Sequence, residues 1–378
     1  MRILATDQFS EFGGAQHGFL EAIDGFATRG WEVYAAVPSG PLVDRLRPLC
    51  RIVTTIPCGP FRSVSKSLVD GARFAGQLPQ QVTAMRKIIE QHRVDAIYVN
   101  GPRVLPAAAL ASRGRPLLFH SHSVVTQASV VKLTGFALRA SSATVLTSSN
   151  FVAQWLEPLV SPEKLFVIYN GIVGWNLPAP RPRSQFTRIG VLGRIAPEKG
   201  QLTFVRAARI AAQSRPDLQF LIGGAPMFAG QDYFEQVQRE SFANVHFTGW
   251  IQPAGPFFEQ IDVLVVPSAA VDANPRVIPE AFAAGVPVIA FQSGGVGELI
   301  EDVASGILVP EHNPRALATA ILTAVAHPAA LNAIAARAYQ RWQQHFTLAR
   351  FQSEVCDAVE RVTEGRSVPH ATRAKATA

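Results

Sequence analysis

The sequence predicts an α/β protein made of two Rossmann-like, doubly wound domains facing each other across a cleft. Short apolar runs alternate with helical patterns in both halves, a proline-rich break divides the halves at residues 174–184, and glycine turns follow the ends of several runs. Such alternation implies parallel strands covered by helices. Ligands of such sheets lie beyond the carboxyl ends of the strands.

In the first domain, residues 1–173, strands are expected near Ile3, Val33, Ile52, Ile97, Leu118, Val145 and Val167, and Phe19, Ile23 and Phe26 trace a helical face ended by Gly30. Gly13 and Gly14 precede a helix expected at Gln16, as a tight turn or as a helix N-terminus touching a phosphate or an acceptor. The dinucleotide fingerprint G-x-G-x-x-G is absent, which counts against a nicotinamide cofactor. His120 and His122 flank Ser121 and alternate onto one strand face; they have no third metal ligand, and a histidine there is more often structural. After the linker, strands are expected near Val191, Leu221, Val245, Val265, Ile289 and Leu308 in a second domain over 185–344, and residues 365–378 read as a mobile tail.

The residues that carry chemistry concentrate in the second half. A strand at 188–194 runs into a loop holding Arg194 and Lys199, where two cations could grip a pyrophosphate. The ordinary alternative pairs Arg194 with Glu198 and turns Lys199 to solvent. Val263–Val266 forms a buried strand ended by Pro267 and Ser268; Asp272 follows in a polar loop, and Pro275 suits the first turn of the helix carrying Glu280. A carboxylate there accepts paired hydrogen bonds from the adjacent hydroxyls of a ribose or hexose, although Glu280 could also serve as a capping acid. Gly294, Gly295 and Gly297 follow the strand Val288–Phe291, so main-chain N–H groups can approach an anion closely. Sugar-binding acids beside a phosphate-binding turn point to a sugar nucleotide. No Asp-x-Asp metal spacing accompanies them, so no metal is expected and fixed cations must do its electrostatic work.

Composition sets the bounds. A chain of 378 residues, 48% hydrophobic, with mean hydropathy +0.15, can fill two cores. The first residues already read as a strand without a secretory signal, and no apolar run reaches membrane-spanning length. Cys50, Cys58 and Cys356 have neither metal spacing nor an even count, which fits a reducing cytoplasm. Residues 1–172 hold 17 Lys and Arg against 11 Asp and Glu, while the remainder holds 18 against 17. Nucleic-acid binding is disfavoured despite the pI near 9.7, because aromatic and basic residues do not interleave.

An ordered set of motifs spans nearly the whole chain: Gly13-Gly14-Ala15, His122, Asn170-Gly171-Ile172, Gly193-Arg194-x4-Lys199-Gly200, Asp272-x7-Glu280-Ala281, Gly285-x-Pro287-Val288, Gly294-Gly295 with Glu298, and Gly306. In this set the chain resembles the GT-B-fold retaining glycosyltransferases of family four, glycosyltransferase group 1. The resemblance implies transfer of a sugar from a UDP- or GDP-linked donor to an acceptor hydroxyl, without cofactor, in the synthesis of cell-surface glycan, glycolipid or polysaccharide. It implies His122, Arg194, Lys199 and Asp272 as catalytic residues, with His120 replacing His122 if the strand ends earlier. Donor contacts would come from Gly14, Arg194, Lys199, Asp272, Glu280, Gly294 and Gly295. A helix at about 345–364 would pack back on the first domain, which would receive a sugar or lipid-linked acceptor. Its basic excess, with Arg45, Arg47, Arg51, Arg62, Lys66 and Arg73, then fits either a peripheral contact with anionic membrane at the inner face or a plain solvated surface. Two departures stand out: Asp272 occupies a position usually held by glutamate, and Pro275 one often held by glycine. A sugar-nucleotide epimerase or a non-catalytic sugar-nucleotide-binding protein is the alternative reading.

Overall fold

The computed structural model describes residues 1–59, 68–175, 182–226, 230–268 and 272–366. Most of the expected linker, residues 176–181, nearly all of the expected tail, residues 367–378, and the basic residues Arg62 and Lys66 lie outside the described residues. The chain divides into two compact units, Met1–Gly171 with the described part of Leu348–Ala378, and Ile172–Thr347. No single helix among the described residues is long and apolar enough to cross a membrane.

The first unit is a parallel sheet of β1 (Arg2–Asp7), β2 (Glu32–Val37), β3 (Ile52–Thr55), β4 (Ala96–Asn100), β5 (Leu117–Ser121), β6 (Thr144–Thr147) and β7 (Leu165–Val167), in the order β3-β2-β1-β4-β5-β6-β7. Every residue of β4 and β5 is buried, as expected of strands covered on both faces. The first helix, Gly14–Thr28, starts two residues earlier than its sequence pattern indicates, leaving Gly13 as the cap. Gly30, at φ +76°, ends it: the Gly30 N–H donates to the Ala27 carbonyl, the Trp31 N–H donates to the Phe26 carbonyl, and the Phe26 and Trp31 rings stack. Phe19, Ile23 and Phe26 face inward and pack in one core with Tyr98 and with Phe351, Val355 and Val359 of the helix Leu348–Thr363. That last helix is therefore an integral part of the first unit's core.

The second unit repeats the scheme with β8 (Arg188–Leu192), β9 (Gln219–Gly223), β10 (Val245–Gly249), β11 (Val263–Val266), β12 (Val288–Phe291) and β13 (Ile307–Val309), all parallel, in the order β10-β9-β8-β11-β12-β13. Counted from each unit's own first strand, both sheets begin in the order 3-2-1-4-5-6, and the order reverses between strands one and four. The amino end of β8 is pinned by Asp262, whose Oδ2 accepts hydrogen bonds from the Thr187 and Arg188 N–H groups at 3.0 and 2.8 Å. Arg183 and Arg188 also bind Asp262 Oδ1, and despite burial these contacts hold its carboxyl below the usual range. One end of the sheet is thus locked by ion pairs, and the opposite, carboxyl end is where the motif residues gather.

Candidate functional site

In the second unit the switch point lies between β8 and β11. Past Leu192 the chain turns through Arg194, makes one turn of 3-10 helix at Pro197–Lys199, and enters the helix Gln201–Ser214 through Gly200. Gly200 has φ +73°, and a Cβ there would stand 1.9 Å from the Pro267 carbonyl oxygen. Only glycine lets the loop after β8 press this closely on the end of β11. The close approach delivers Lys199 to the acidic loop: its Nζ lies 2.6 Å from Asp272 Oδ2, and Ser268 Oγ donates to the same oxygen at 3.0 Å. Gly294, at φ +55°, folds onto the same loop, where a Cβ would meet the Asp272 carbonyl oxygen at 2.3 Å. The Gly295 N–H donates to that carbonyl at 2.9 Å.

Lys199, Asp272, Gly294 and Gly295 therefore meet at one strand end. Lys199 is about one-third exposed and Asp272 less than one-sixth, at 32% and 15%, so the pair is accessible from the lysine side. Arg194 takes the ordinary alternative and pairs with Glu198. Glu280 sits on the helix Val277–Ala283, its Oε1 4.0 Å from Arg276 Nε, and its main-chain carbonyl accepts from Trp175 Nε1 at 2.9 Å. Pro275 corrects one expectation: it precedes the helix, which begins at Val277 with Arg276 as its cap, because proline's fixed φ and missing N–H suit the loop just before a helix as well as its first turn. Among the described residues no group of three or more His, Cys, Asp or Glu is arranged to hold a metal ion.

The first unit's switch point, between β1 and β4, is built differently. Strand β5 continues to Ser121, which puts His120 wholly inside and leaves His122 just past the end. His120 Nδ1 lies 2.6 Å from the Tyr98 hydroxyl, and burial together with neighbouring His122 pushes its pKa well below the usual histidine range. The His122 ring lies 4.0 Å from that of His120, and its Nε2 is 2.8 Å from Asn100 Oδ1. Asn100 Nδ2 in turn donates to Asp7, which also accepts from Gln16 Nε2 at 3.1 Å and from the Phe9 N–H at 2.8 Å. Asp7 is fully buried, and desolvation raises its pKa to about 6 against the opposing pull of these hydrogen bonds. Gly14 opens the helix that supplies Gln16, and Gly18 on the same helix passes the His122 ring so closely that a Cβ would come within 3.3 Å of Cε1. Asp7, Gln16 and Asn100 were not singled out from sequence. The available signal was that the apolar runs of β1 and β4 each close on a polar residue, and these two residues pair directly in the sheet register.

Both halves match known family models: residues 12–173 match Glycosyltransferase Family 4, and residues 187–327 match Glycosyl transferases group 1. The chain belongs to glycosyltransferase family four. This family-four member is 34% identical to a D-inositol 3-phosphate glycosyltransferase of Paenarthrobacter aurescens, over 34% of this chain and 33% of that protein. It is 27% identical to D-inositol 3-phosphate glycosyltransferase 1 of Catenulispora acidiphila, over 89% of this chain and 88% of that one. For several such curated relatives the matched region spans only a third to about half of their length. In three dimensions it resembles Anabaena Alr3699/HepE in complex with UDP, with TM-score 0.81 at 23% identity over 95% of this chain and 100% of that one. Sucrose-phosphate synthase from Thermosynechococcus elongatus gives TM-score 0.78 at 20% identity, over 97% and 100%. The fold of the family-four chain is accordingly GT-B.

Proposed function

We propose that this family-four protein transfers a sugar from a nucleoside-diphosphate sugar to an acceptor hydroxyl, with retention at the anomeric carbon and without a metal ion. The observation that carries this reading is the Lys199–Asp272 pair, held at 2.6 Å against the Gly294–Gly295 turn. A diphosphate is a stronger anion than one carboxylate, so a donor displaces Asp272 from Lys199 and leaves the acid to accept hydrogen bonds from sugar hydroxyls. As the glycosidic bond breaks, negative charge grows on the leaving diphosphate. Lys199, with Arg194, binds that charge more strongly than the ground state and so lowers the barrier. The departing phosphate takes the acceptor's proton, and Glu280 holds the ribose.

Solved structures of Anabaena Alr3699/HepE in complex with UDP and with UDP-glucose support a uridine nucleotide as the first donor to try. The basic excess of residues 1–172 supports an acidic acceptor met at the cytoplasmic face of an anionic membrane. Sedimentation with anionic vesicles at low and high salt tests the membrane part; protein left in the supernatant at low salt removes it. Calorimetric titration with UDP, followed by incubation with UDP-glucose in the presence of a chelator, tests the transfer reading. UDP should bind, and slow hydrolysis should first release the α-anomer in proton NMR. Failure of both UDP and GDP to bind would overturn the proposal.

A further inference from the structure

The hydrogen bonds of the first unit's switch point determine a proton position. Asp7 is held by the Phe9 N–H, by Gln16 Nε2 and by Asn100 Nδ2, and an ionised carboxylate has only acceptors to offer. Asn100 must then turn its amide NH2 to Asp7 and its carbonyl oxygen to His122. A carbonyl cannot donate, so the proton in the 2.8 Å contact belongs to His122 Nε2. Burial of Asp7, with its pKa near 6, still leaves it largely ionised at pH 7.5. The His120 ring lies 4.0 Å from the imidazole, and a Cβ on Gly18 would come within 3.3 Å of its Cε1.

We propose that Asp7 is a positioning residue which, acting through Asn100, fixes His122, the catalytic histidine implied by the family resemblance, as the Nε2–H imidazole. The inference rests on the transfer reading but makes a demand that reading does not. It assigns a role to two residues, 93 positions apart, that no motif joins.

The test uses the full-length protein labelled with 15N-histidine, with the His122 signals identified by their loss in His122→Gln. In the wild type at pH 7.5, Nε2 should carry the proton and Nδ1 should not. In Asp7→Asn the new amide can donate to Asn100 Oδ1, letting the Asn100 side chain turn over and moving His122 toward the Nδ1–H form. With UDP-glucose as probe, kcat for hydrolysis should fall roughly ten- to a hundredfold while KM stays within about twofold, the pattern of lost positioning rather than lost binding. A wild-type His122 protonated at Nδ1 overturns the proposal, and so does an unchanged tautomer or an unchanged kcat in Asp7→Asn. Should that variant fail to fold, the wild-type tautomer still decides. A wild type that shows the expected tautomer but neither binds UDP nor turns over UDP-glucose places the failure in the transfer reading instead.

Discussion

The two sheets share a strand order and a switch point, yet the residues at those points are opposites. At the end of β8 and β11, glycines with positive φ bring loops into contact and leave a lysine and an aspartate paired at a partly open surface. At the end of β1 and β4, an aspartate and an asparagine are almost wholly buried and satisfied by one another and by Gln16. Topology alone therefore fixes where a site can form. The balance of solvation and charge at that place decides whether it exchanges partners with a ligand or holds neighbours still.

The largest expected effects separate these two kinds of site. Phe351, fully buried in the first unit's core with its ring 6.3 Å from His120, supports the still site from behind. Phe351→Ala should cost about 3–5 kcal/mol of stability, read by urea unfolding, with increased amide exchange confined to the first unit. Exchange rising equally in the second unit would deny that the two cores are separate. Lys199→Ala strikes the exchanging site: turnover of UDP-glucose should drop roughly 10²- to 10³-fold while the protein still folds, with some loss of stability because the mostly buried Asp272 keeps only its Ser268 Oγ hydrogen bond on that oxygen. Near-normal turnover in a folded variant would remove Lys199 from the chemistry.

A pH experiment sharpens the contrast. Folded Asp7 titrates at about 6, against about 3.9 in an unfolded chain, so between these values the native state holds a proton that the unfolded state has lost. Stability from this group is thus complete below pH about 4 and declines as pH rises through 6. The loss is on the order of 3 kcal/mol, since each unit of difference is worth about 1.4 kcal/mol. Asp7→Asn removes the titration, so its stability relative to wild type should grow by that order between pH 4 and 7.5. Parallel pH profiles for the two proteins would show that Asp7 is not a desolvated acid. A carboxylate kept charged at such cost is the kind of feature retained for positioning rather than for folding.

The strands were legible because each is a short apolar run with turn residues at its ends, and the motif glycines were legible because positive φ or close approach leaves few alternatives. The Lys199–Asp272 contact was less so. Sequence placed both residues at the same sheet end, but only the fold brings their loops together, so closely that a Cβ on Gly200 would stand 1.9 Å from the Pro267 carbonyl oxygen. The Asp7–Asn100–His122 chain was not legible at all, since it joins β1, β4 and β5 through sheet order, and a local pattern carries no information about which strands become neighbours. Pro275 was misread for a related reason. Proline suits both a first helical turn and the loop before it, so its presence alone does not decide between them.

Glycine substitutions probe the loop packing at a smaller scale. Gly294→Ala combines φ +55° with a Cβ 2.3 Å from the Asp272 carbonyl oxygen, whereas a Cβ on Gly297 meets nothing within 4 Å. The first change should cost about 1–3 kcal/mol and weaken UDP binding by shifting the Asp272 loop, while Gly297→Ala should do neither. Equal effects from the two would mean that the glycine turn is merely flexible and does not shape the acidic loop.

The smallest effect concerns the second cation. Arg194 and Glu198 are one-third and two-fifths exposed, at 33% and 42%, and form an i,i+4 ion pair of the kind worth about 0.3–0.5 kcal/mol. Glu198 competes with a donor phosphate for Arg194 much as Asp272 competes for Lys199, but in a wetter place where its hold is weaker. Glu198→Gln should leave stability within about 0.5 kcal/mol of wild type and tighten UDP binding no more than about two- to threefold, the affinity equivalent of that ion pair. Tighter UDP binding that disappears in high salt fits release of Arg194 to the diphosphate, since exposed charges are screened over roughly 10 Å at 0.1 M. Weaker binding would reverse the assignment, making Glu198 a support that aims Arg194 rather than a rival for it.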